Sequence, residues 1–521
     1  MCQPSDSLVQ EMLGSVIPKD VTVKSVQPIS SGRPLRNYEV SLSTGKTILL
    51  TLPPVSLWRP LRAEQDMLSS EAITVKWIRD TLAQGADSVD EPASSLSKAS
   101  VADSLLPLLP TLLGHIQDMH PPSSSFAVYE TIPGTSLPFL STKPTPADHH
   151  NIDRQLGRLV RDLAMLTSPT GRFGPVTAVL GTTNITTTQN TISQTSSTST
   201  APRPARSTAV KTTKAPTTAF LPAILTESNL ATTSGALAWS TAFHSMLEGV
   251  LRDGEDMAVA ISYVSIRRHF RRLGWVLDGV TKGRLVVVEV EGDGRGNLVV
   301  GDEGNEGGKG GEEMGDKESE DEADKKKAKK DDGEVGTEGD NSTKKAANQD
   351  QDQQHQHLKL ASLRDWSSAI FGDPLLATVF SDPNQRPPSA GFLAGFNNDT
   401  TATTPTINSK QTTMTTTTEA TETTTPQMPY PLSLPESIIE SPTTAPIRLL
   451  FYQVYHAVTR IVAEFYRPQR PSESSTHELE ARKKLNEVLA RLAEVGDDGK
   501  IGSRHHHRRP SGEMSPAKKV K

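Results

Sequence analysis

LKLASLRDWSSAIFGDPLLATVFSD, residues 358–382, is the stretch whose reading decides the fold. Leu358 to Leu363 is apolar-rich and reads as a strand, which then runs into an irregular loop at Asp365. An acid at a strand end before such a loop can hold a magnesium ion bridging the β- and γ-phosphates of a nucleotide. The same acid can equally cap a turn, and Asp373-Pro374 starts a turn by itself.

Upstream, RLVVVEVEGDGRGNLVV (residues 284–300) reads as strand, tight turn, strand. Its turn, Glu291-Gly292-Asp293-Gly294-Arg295-Gly296-Asn297, carries an acid and an amide at short spacing. That is how phosphotransferases arrange their centre: the acid orients or deprotonates the acceptor hydroxyl and the amide carries magnesium. A plain Gly/Asp turn needing positive φ is the other reading.

Further out, VTVKSVQPI, NYEVSLSTG and KTILLTLPP read as strands, with Ser43 to Gly45 as a hairpin turn. Leu61, Leu68, Ala72, Val75, Ile78 and Leu82 mark one face of a helix. SFAVYETIPG is a strand ending in a Pro-Gly turn. NIDRQLGRLVRDLAML is an amphipathic helix with Ile152, Leu156, Leu159, Val160, Leu163 and Leu166 on its stripe. Helices are also expected over 241–257, 262–280, 447–466 and 477–495.

Composition sets the frame for these pieces. Of 521 residues, 35% are hydrophobic and 5% aromatic, which implies one modest core diluted by polar tracts. Disordered inserts are expected at 181–234, 301–357 and 383–446, with a disordered basic tail at 496–521. The four pieces between them, 15–180, 235–300, 358–382 and 447–495, read as a single domain over 15–495. The three shorter ones are too small to bury a core alone, and long surface inserts cost little closure entropy.

Lys+Arg is 55 against Asp+Glu 61, a net charge of −6, which argues against a globally basic nucleic-acid binder. The single cysteine, Cys2, excludes a disulfide framework and a Cys-based zinc site. No apolar run is long enough to cross a membrane, and the N-terminus reads as no secretory signal. The expected location is cytoplasmic. The tail RHHHRRPSGEMSPAKKVK leaves nuclear import and a plain basic tail both open. The inserts are available to protein partners.

The set and order of the pieces resembles the aminoglycoside phosphotransferase family, a branch of the protein-kinase-like fold. That family has an HGDxxxxN catalytic loop, an IDWE segment and a GDPxxDLA segment. RLVVVEVEGDGRGNLVV stands for the first, and LRDWSSAIFGDPLLATVF for the other two. SFAVYETIPGTSL resembles the hinge strand, and LGRLVRDLAML followed by RFGP resembles a family helix. Glu71 in LSSEAITVKWI matches the glutamate behind the nucleotide.

The resemblance implies an α+β, two-lobed protein-kinase-like fold, with a small β-rich N-lobe, a helical C-lobe and ATP with Mg2+ in the cleft. It implies Asp293 as base, Asn297 and Asp365 as metal ligands, and Glu71, Glu130 and Ile132 at the nucleotide. Backbone groups from Tyr129 to Ile132 would meet the adenine. The acceptor would be a small-molecule hydroxyl, with Trp275, His269 and Tyr263 near it by location.

The chain departs from the family at several points. The phosphate-gripping lysine on the third strand falls at about Thr51, leaving Lys46 or Arg33 as substitute cations. The histidine becomes Glu291, Asp293 and Asn297 are one residue closer than usual, IDWE becomes RDWS, and Leu375-Leu376-Ala377 lacks the acid of DLA. A catalytically impaired pseudokinase, kept as a binding or scaffolding module, is the competing class.

Overall fold

In this computed structural model the described residues are 4–29, 34–55, 59–87, 100–117, 125–140, 143–181, 235–289, 298–302, 358–382, 387–398, 434–467 and 471–500. The expected turn 291–297, most of the first two inserts and residues 501–521 of the tail lie outside them.

The N-terminal part is a five-stranded antiparallel sheet in the order β1-β2-β3-β5-β4. Its strands are β1 (Val23–Ile29), β2 (Arg36–Leu42), β3 (Thr47–Leu52), β4 (Leu112–Ile116) and β5 (Phe126–Glu130). The expected hairpin joins β2 to β3: Leu42 N donates to Lys46 O at 2.8 Å, and Gly45 takes φ +80°, the left-handed region that glycine tolerates.

Strand alternation gives the sheet two unlike faces. Tyr38, Val40, Leu42, Ile48, Leu50, Leu52, Phe126 and Val128 form the outer face. They pack against Val9 and Leu13 of α1 (Asp6–Leu13), a helix ahead of the first expected element. Ser5 caps α1, and the Gln10 side chain accepts from Val23 N at 2.6 Å and donates to Val21 O at 3.2 Å. Eight residues with two buried positions are too short for a periodicity argument, which is why α1 escaped the sequence reading. Leu49, Thr51, Ala127 and Tyr129 point the other way, onto Met67 and Leu68 of α2 (Met67–Asp87).

The C-terminal part is mostly helical: α3 (Pro146–Met165), α4 (Trp239–Asp256), α5 (Tyr263–Leu273), α6 (Ala390–Asn397), α7 (Ala445–Tyr466) and α8 (Pro471–Glu494). The short strands β6 (Thr135–Ser136), β7 (Gly174–Pro175), β8 (Arg284–Val287), β9 (Leu298–Asp302), β10 (Leu358–Leu363) and β11 (Ala369–Gly372) form two small sheets, β10-β9-β6 and β7-β11-β8. This is the α+β, two-lobed arrangement that the resemblance implies. One apolar cluster draws on residues from all four stretches read as ordered, from Leu61 to Val495.

Helix α3 follows the expected stripe: Ile152, Leu156, Leu159, Val160 and Leu163 are all buried. Thr145 and Asp148 close a capping box at its start, with Pro146 in the first turn. Its Gly157 lies so close to α6 that a Cβ would stand 2.1 Å from Phe392 O.

Helix α6 corrects the boundaries of the third insert. Residues 387–398 and 434–446, inside the stretch 383–446 expected to be disordered, are ordered. Ser389 caps α6, and Phe392 and Phe396 bury themselves beside Phe380. Ile438 and Ile439 are buried too. Isolated apolar pairs in a Thr/Pro-rich tract make no periodic pattern, so composition hides them.

The fold also carries a pH response. Burial pulls His115 and His456 below the ordinary imidazole value; Leu376 O, 2.8 Å from His456 Nε2, opposes this only in part. The unfolded chain therefore binds more protons than the native one just below about pH 6.5. Stability should be full above that pH and fall as pH drops through it. Thermal melts from pH 7.5 to 5.5 should show the midpoint declining, and His456→Gln should flatten the decline. A midpoint flat across that range would refute the burial argument.

Candidate functional site

The two lobes meet along a segment that begins at the end of β5. Glu130 N donates to Thr111 O at 2.9 Å, and Thr131 Oγ1 donates to Thr47 O at 2.8 Å. Glu130 is exposed and Ile132 half-buried. The chain then turns at Gly134, where φ is +135° and a Cβ would lie 2.6 Å from Val300 O. Only glycine fits there. Beyond it Thr135 and Ser136 pair with Val300 and Val299 of β9. The connecting segment is thus stitched onto the β9–β10 hairpin.

That hairpin brings the two informative stretches of sequence together. Leu298, next in the chain to Asn297, pairs with Leu363, two residues before Asp365. Asn297, Asp293 and Glu291 themselves lie outside the described residues, as does Arg33. Asp365 is buried, and its Oδ1 accepts from Ser367 N at 2.6 Å. The wholly buried Trp366 pins the turn by donating from Nε1 to Leu363 O at 3.1 Å. Ser367 is buried as well, and its Oγ has no hydrogen-bond partner. Below the turn, Glu289 N donates to Ser368 Oγ at 3.1 Å and Val288 N to Ser368 O at 3.3 Å. The RDWSS segment therefore holds the base of the loop that carries Asp293 in sequence.

Glu71 sits on the first turns of α2 and is buried. It lies close enough to Tyr129 to add to the burial that raises the phenol well above its ordinary value. Thr51 shares the inner face of the sheet with Tyr129, and both are buried. Neither Thr51 Oγ1 nor Tyr129 Oη has a hydrogen-bond partner. Lys46, exposed in the hairpin turn, stands at the far end of β3, five residues or roughly 16 Å along the strand from Thr51. Lys46 therefore stands well away from Thr51 along the strand.

Helix α2 is held from its N-terminal side by the helical lobe. Arg62 N and Nη1 donate to the buried Asp253 at 2.9 and 2.5 Å, and Arg62 Nη2 donates to Asp256 at 3.0 Å. Glu64 accepts from Leu61 N at 2.9 Å and pairs with Arg467. Arg59 lies over the Tyr466 ring, 5.0 Å from its centre. Trp77, further along α2, meets Phe371 of β11 edge-on at 5.1 Å. Glu71 is thus carried on a helix bolted to the helical lobe.

Arg364, next to Asp365, was passed over in the sequence. It is partly buried, which lowers its guanidinium, and Glu39 opposes that shift. Glu39 alternates with Tyr38 and Val40 on β2 and so faces the inner side of the sheet.

Of the expected acceptor-side residues, Tyr263 donates to Val259 O at 2.7 Å, His269 is buried with Nδ1 3.3 Å from Arg272 Nη2, and Trp275 is half exposed. Among the described residues no cluster of three or more His, Cys, Asp or Glu could hold a metal by itself, and no helix is long and apolar enough to cross a membrane. A lone buried carboxylate does fit magnesium, which keeps waters and takes phosphate oxygens beside one or two carboxylates.

No family model matches the chain, and no curated protein matches it. Among solved structures it is similar to a thermostable mutant of aminoglycoside phosphotransferase APH(4)-Ia in ternary complex with AMP-PNP and hygromycin B. That match has 11% identity and a TM-score of 0.41, over 92% of this chain and 97% of that one. It is also similar to macrolide 2'-phosphotransferase MphH from Brachybacterium faecium, with 12% identity and a TM-score of 0.36 over 92% and 97%. A third is spectinomycin phosphotransferase APH(9)-Ia with ADP and spectinomycin, with 10% identity and a TM-score of 0.33 over 96% and 100%. At TM-scores below 0.5 these likenesses assign no role to any residue of the chain.

Proposed function

We propose that the chain is an aminoglycoside-phosphotransferase-like protein that transfers the γ-phosphoryl group of ATP to a hydroxyl of a small molecule. The observation that carries this reading is the buried Asp365 at the end of the β9–β10 hairpin to which the connecting segment is stitched, with Glu71 buried on α2 close to Tyr129 of β5. In that arrangement Asp365 and Asn297 would hold magnesium, which neutralises phosphate charge when bound. Backbone groups at Glu130 and Ile132 would meet the adenine. Glu71 would orient the inner face of the sheet. Asp293 would take the acceptor's proton as its oxygen bonds to phosphorus and the bond to the β-phosphate oxygen breaks, releasing ADP.

A second reading, a nucleotide-binding or scaffolding pseudokinase, is favoured by one observation. Thr51, which the resemblance matches to the family's lysine, carries a buried hydroxyl without a hydrogen-bond partner, and a threonine there would lack one cation that usually promotes transfer. Calorimetric titration with ATP, with and without magnesium, tests the first reading. Micromolar to millimolar binding that requires magnesium is expected, with slow turnover. Asp293→Asn should keep the binding and remove the turnover. Binding without any turnover supports the pseudokinase, and no binding at all leaves only the scaffold.

A further inference from the structure

Helix α2 follows the sheet in sequence, but its apolar face belongs to the other lobe. Ile73, Val75, Ile78 and Leu82 are buried in the cluster that runs through the helical lobe, and Trp77 packs on that cluster through Phe371 of β11. Met67 and Leu68, in the first turn of α2, join Leu35, Ala127 and Tyr129 beneath the sheet instead. The outer face of the sheet has a separate core, shared with α1. The polar contacts divide in the same way. Arg62 grips Asp253 and Asp256 at the end of α4, and Arg59 stands 3.6 Å from Asp256 and over the Tyr466 ring. Further along α2, Arg79 donates to Leu109 O at 2.6 Å, to Pro110 O at 3.0 Å and to Thr111 Oγ1 at 3.1 Å, just ahead of β4. Leu105 and Leu109 themselves lie in the helical-lobe cluster, and Ser362 Oγ of β10 donates to Leu108 O at 2.8 Å. Four buried side chains and a clamp on a buried carboxylate outweigh a two-residue contact with the sheet.

We infer that α2 is mechanically part of the helical lobe, so that the cleft opens and closes by the sheet and α1 pivoting on the contact at Met67 and Leu68, with Arg62 as the residue that positions the helix. Glu71 on α2 and Asp365 in the helical lobe then keep a fixed spacing. Thr51 and the connecting segment from Glu130 to Ile132 approach them or leave them as the sheet swings. The chain passes between the two bodies at 53–60, 110–111 and 131–133, and few residues suffice to absorb a hinge rotation. The inference goes beyond the phosphotransferase reading and rests on it only in taking ATP with magnesium as the closing ligand.

The test is double electron–electron resonance on the full chain, with Cys2→Ser as background. Spin labels are paired among the exposed Thr44 of the β2–β3 turn, Ala83 of α2 and Arg268 of α5. Without ligand, the distance from Ala83 to Arg268 should form one narrow distribution, while those from Thr44 to Ala83 and from Thr44 to Arg268 should both be about twice as wide. ATP with magnesium should narrow those two together and leave the first unmoved. Arg62→Met should broaden the distance from Ala83 to Arg268, and Arg62→Lys, which keeps a charge for Asp253 but not the fork, should broaden it less. A narrow distance from Thr44 to Ala83 beside a broad one from Ala83 to Arg268 would put α2 with the sheet and overturn the inference, as would equal widths for all three pairs. These ligand-free widths decide the matter even if Arg62→Met fails to fold. A folded Arg62→Met protein with the wild-type width would remove Arg62 as the positioning residue. Wide sheet distances that ignore ATP would uphold the place of α2 and count against the nucleotide reading, so the two can fail separately.

Discussion

Arg448→Met should cost the fold about 3–5 kcal/mol, the toll of leaving one member of a buried ion pair unpaired. Arg448 and Asp373 are both essentially inaccessible, with Nη1 2.8 Å from Oδ2. The pair does not stand alone. Tyr452 Oη donates to Asp373 Oδ2 at 2.7 Å, Trp239 Nε1 donates to Tyr452 Oη at 2.8 Å, and Leu375 N donates to Asp373 Oδ1 at 3.2 Å. Arg448 also donates through Nη2 to Glu440 O. The network ties the end of β11 to α7 and α4, and its charge is buried where water cannot compensate. Asp373→Leu with Arg448→Met together should cost less than either change alone, because the double replacement leaves no charge behind. Urea denaturation of the four proteins supplies the cycle. A single-variant loss under about 1 kcal/mol would place the pair among ordinary surface bridges instead.

Asp365→Asn should abolish magnesium-dependent ATP binding, a drop of about 100-fold or more, while leaving the fold intact. The amide keeps an oxygen to accept from Ser367 N, so the turn survives the change. What it loses is the negative charge that a hard divalent cation requires. ATP affinity in the absence of magnesium should hardly move, because the substitution removes no phosphate contact. The decisive readout is the ratio of affinities with and without the metal. If Asp365→Asn preserves that ratio, the acid is a turn cap and the metal is held elsewhere.

These two acids also mark where the sequence was readable. Each allowed a capping role beside its chemical one. Asp373 caps its turn and is further engaged by Arg448, 75 positions away, a pairing no local pattern announces. Asp365 caps its turn as well, yet it does so at the end of a hairpin whose other strand begins beside Asn297. The antiparallel pairing of β9 with β10 brings these two strands together across the intervening stretch. The loop 291–297, and with it Asp293 and Asn297, lies outside the described residues, so the proposed base and second metal ligand stand on sequence.

Sequence by itself determined the local elements whose cause is local. The stripe of α3 follows from apolar spacing near 3.6, the β2–β3 hairpin from a glycine that tolerates positive φ, and the β10 strand from an apolar run ending at an acid. The place of Thr51 on β3 was equally legible, because strand register needs only counting. Tertiary structure alone decided what depends on partners far along the chain. It buried α6 against α3 through a glycine contact and bolted the lead of α2 to Asp253. Periodicity reports which side of an element faces a core. The identity of the atoms on the far side of that core is set by chain reversals, which bring residues hundreds of positions apart within hydrogen-bond reach and leave no periodic trace in either stretch.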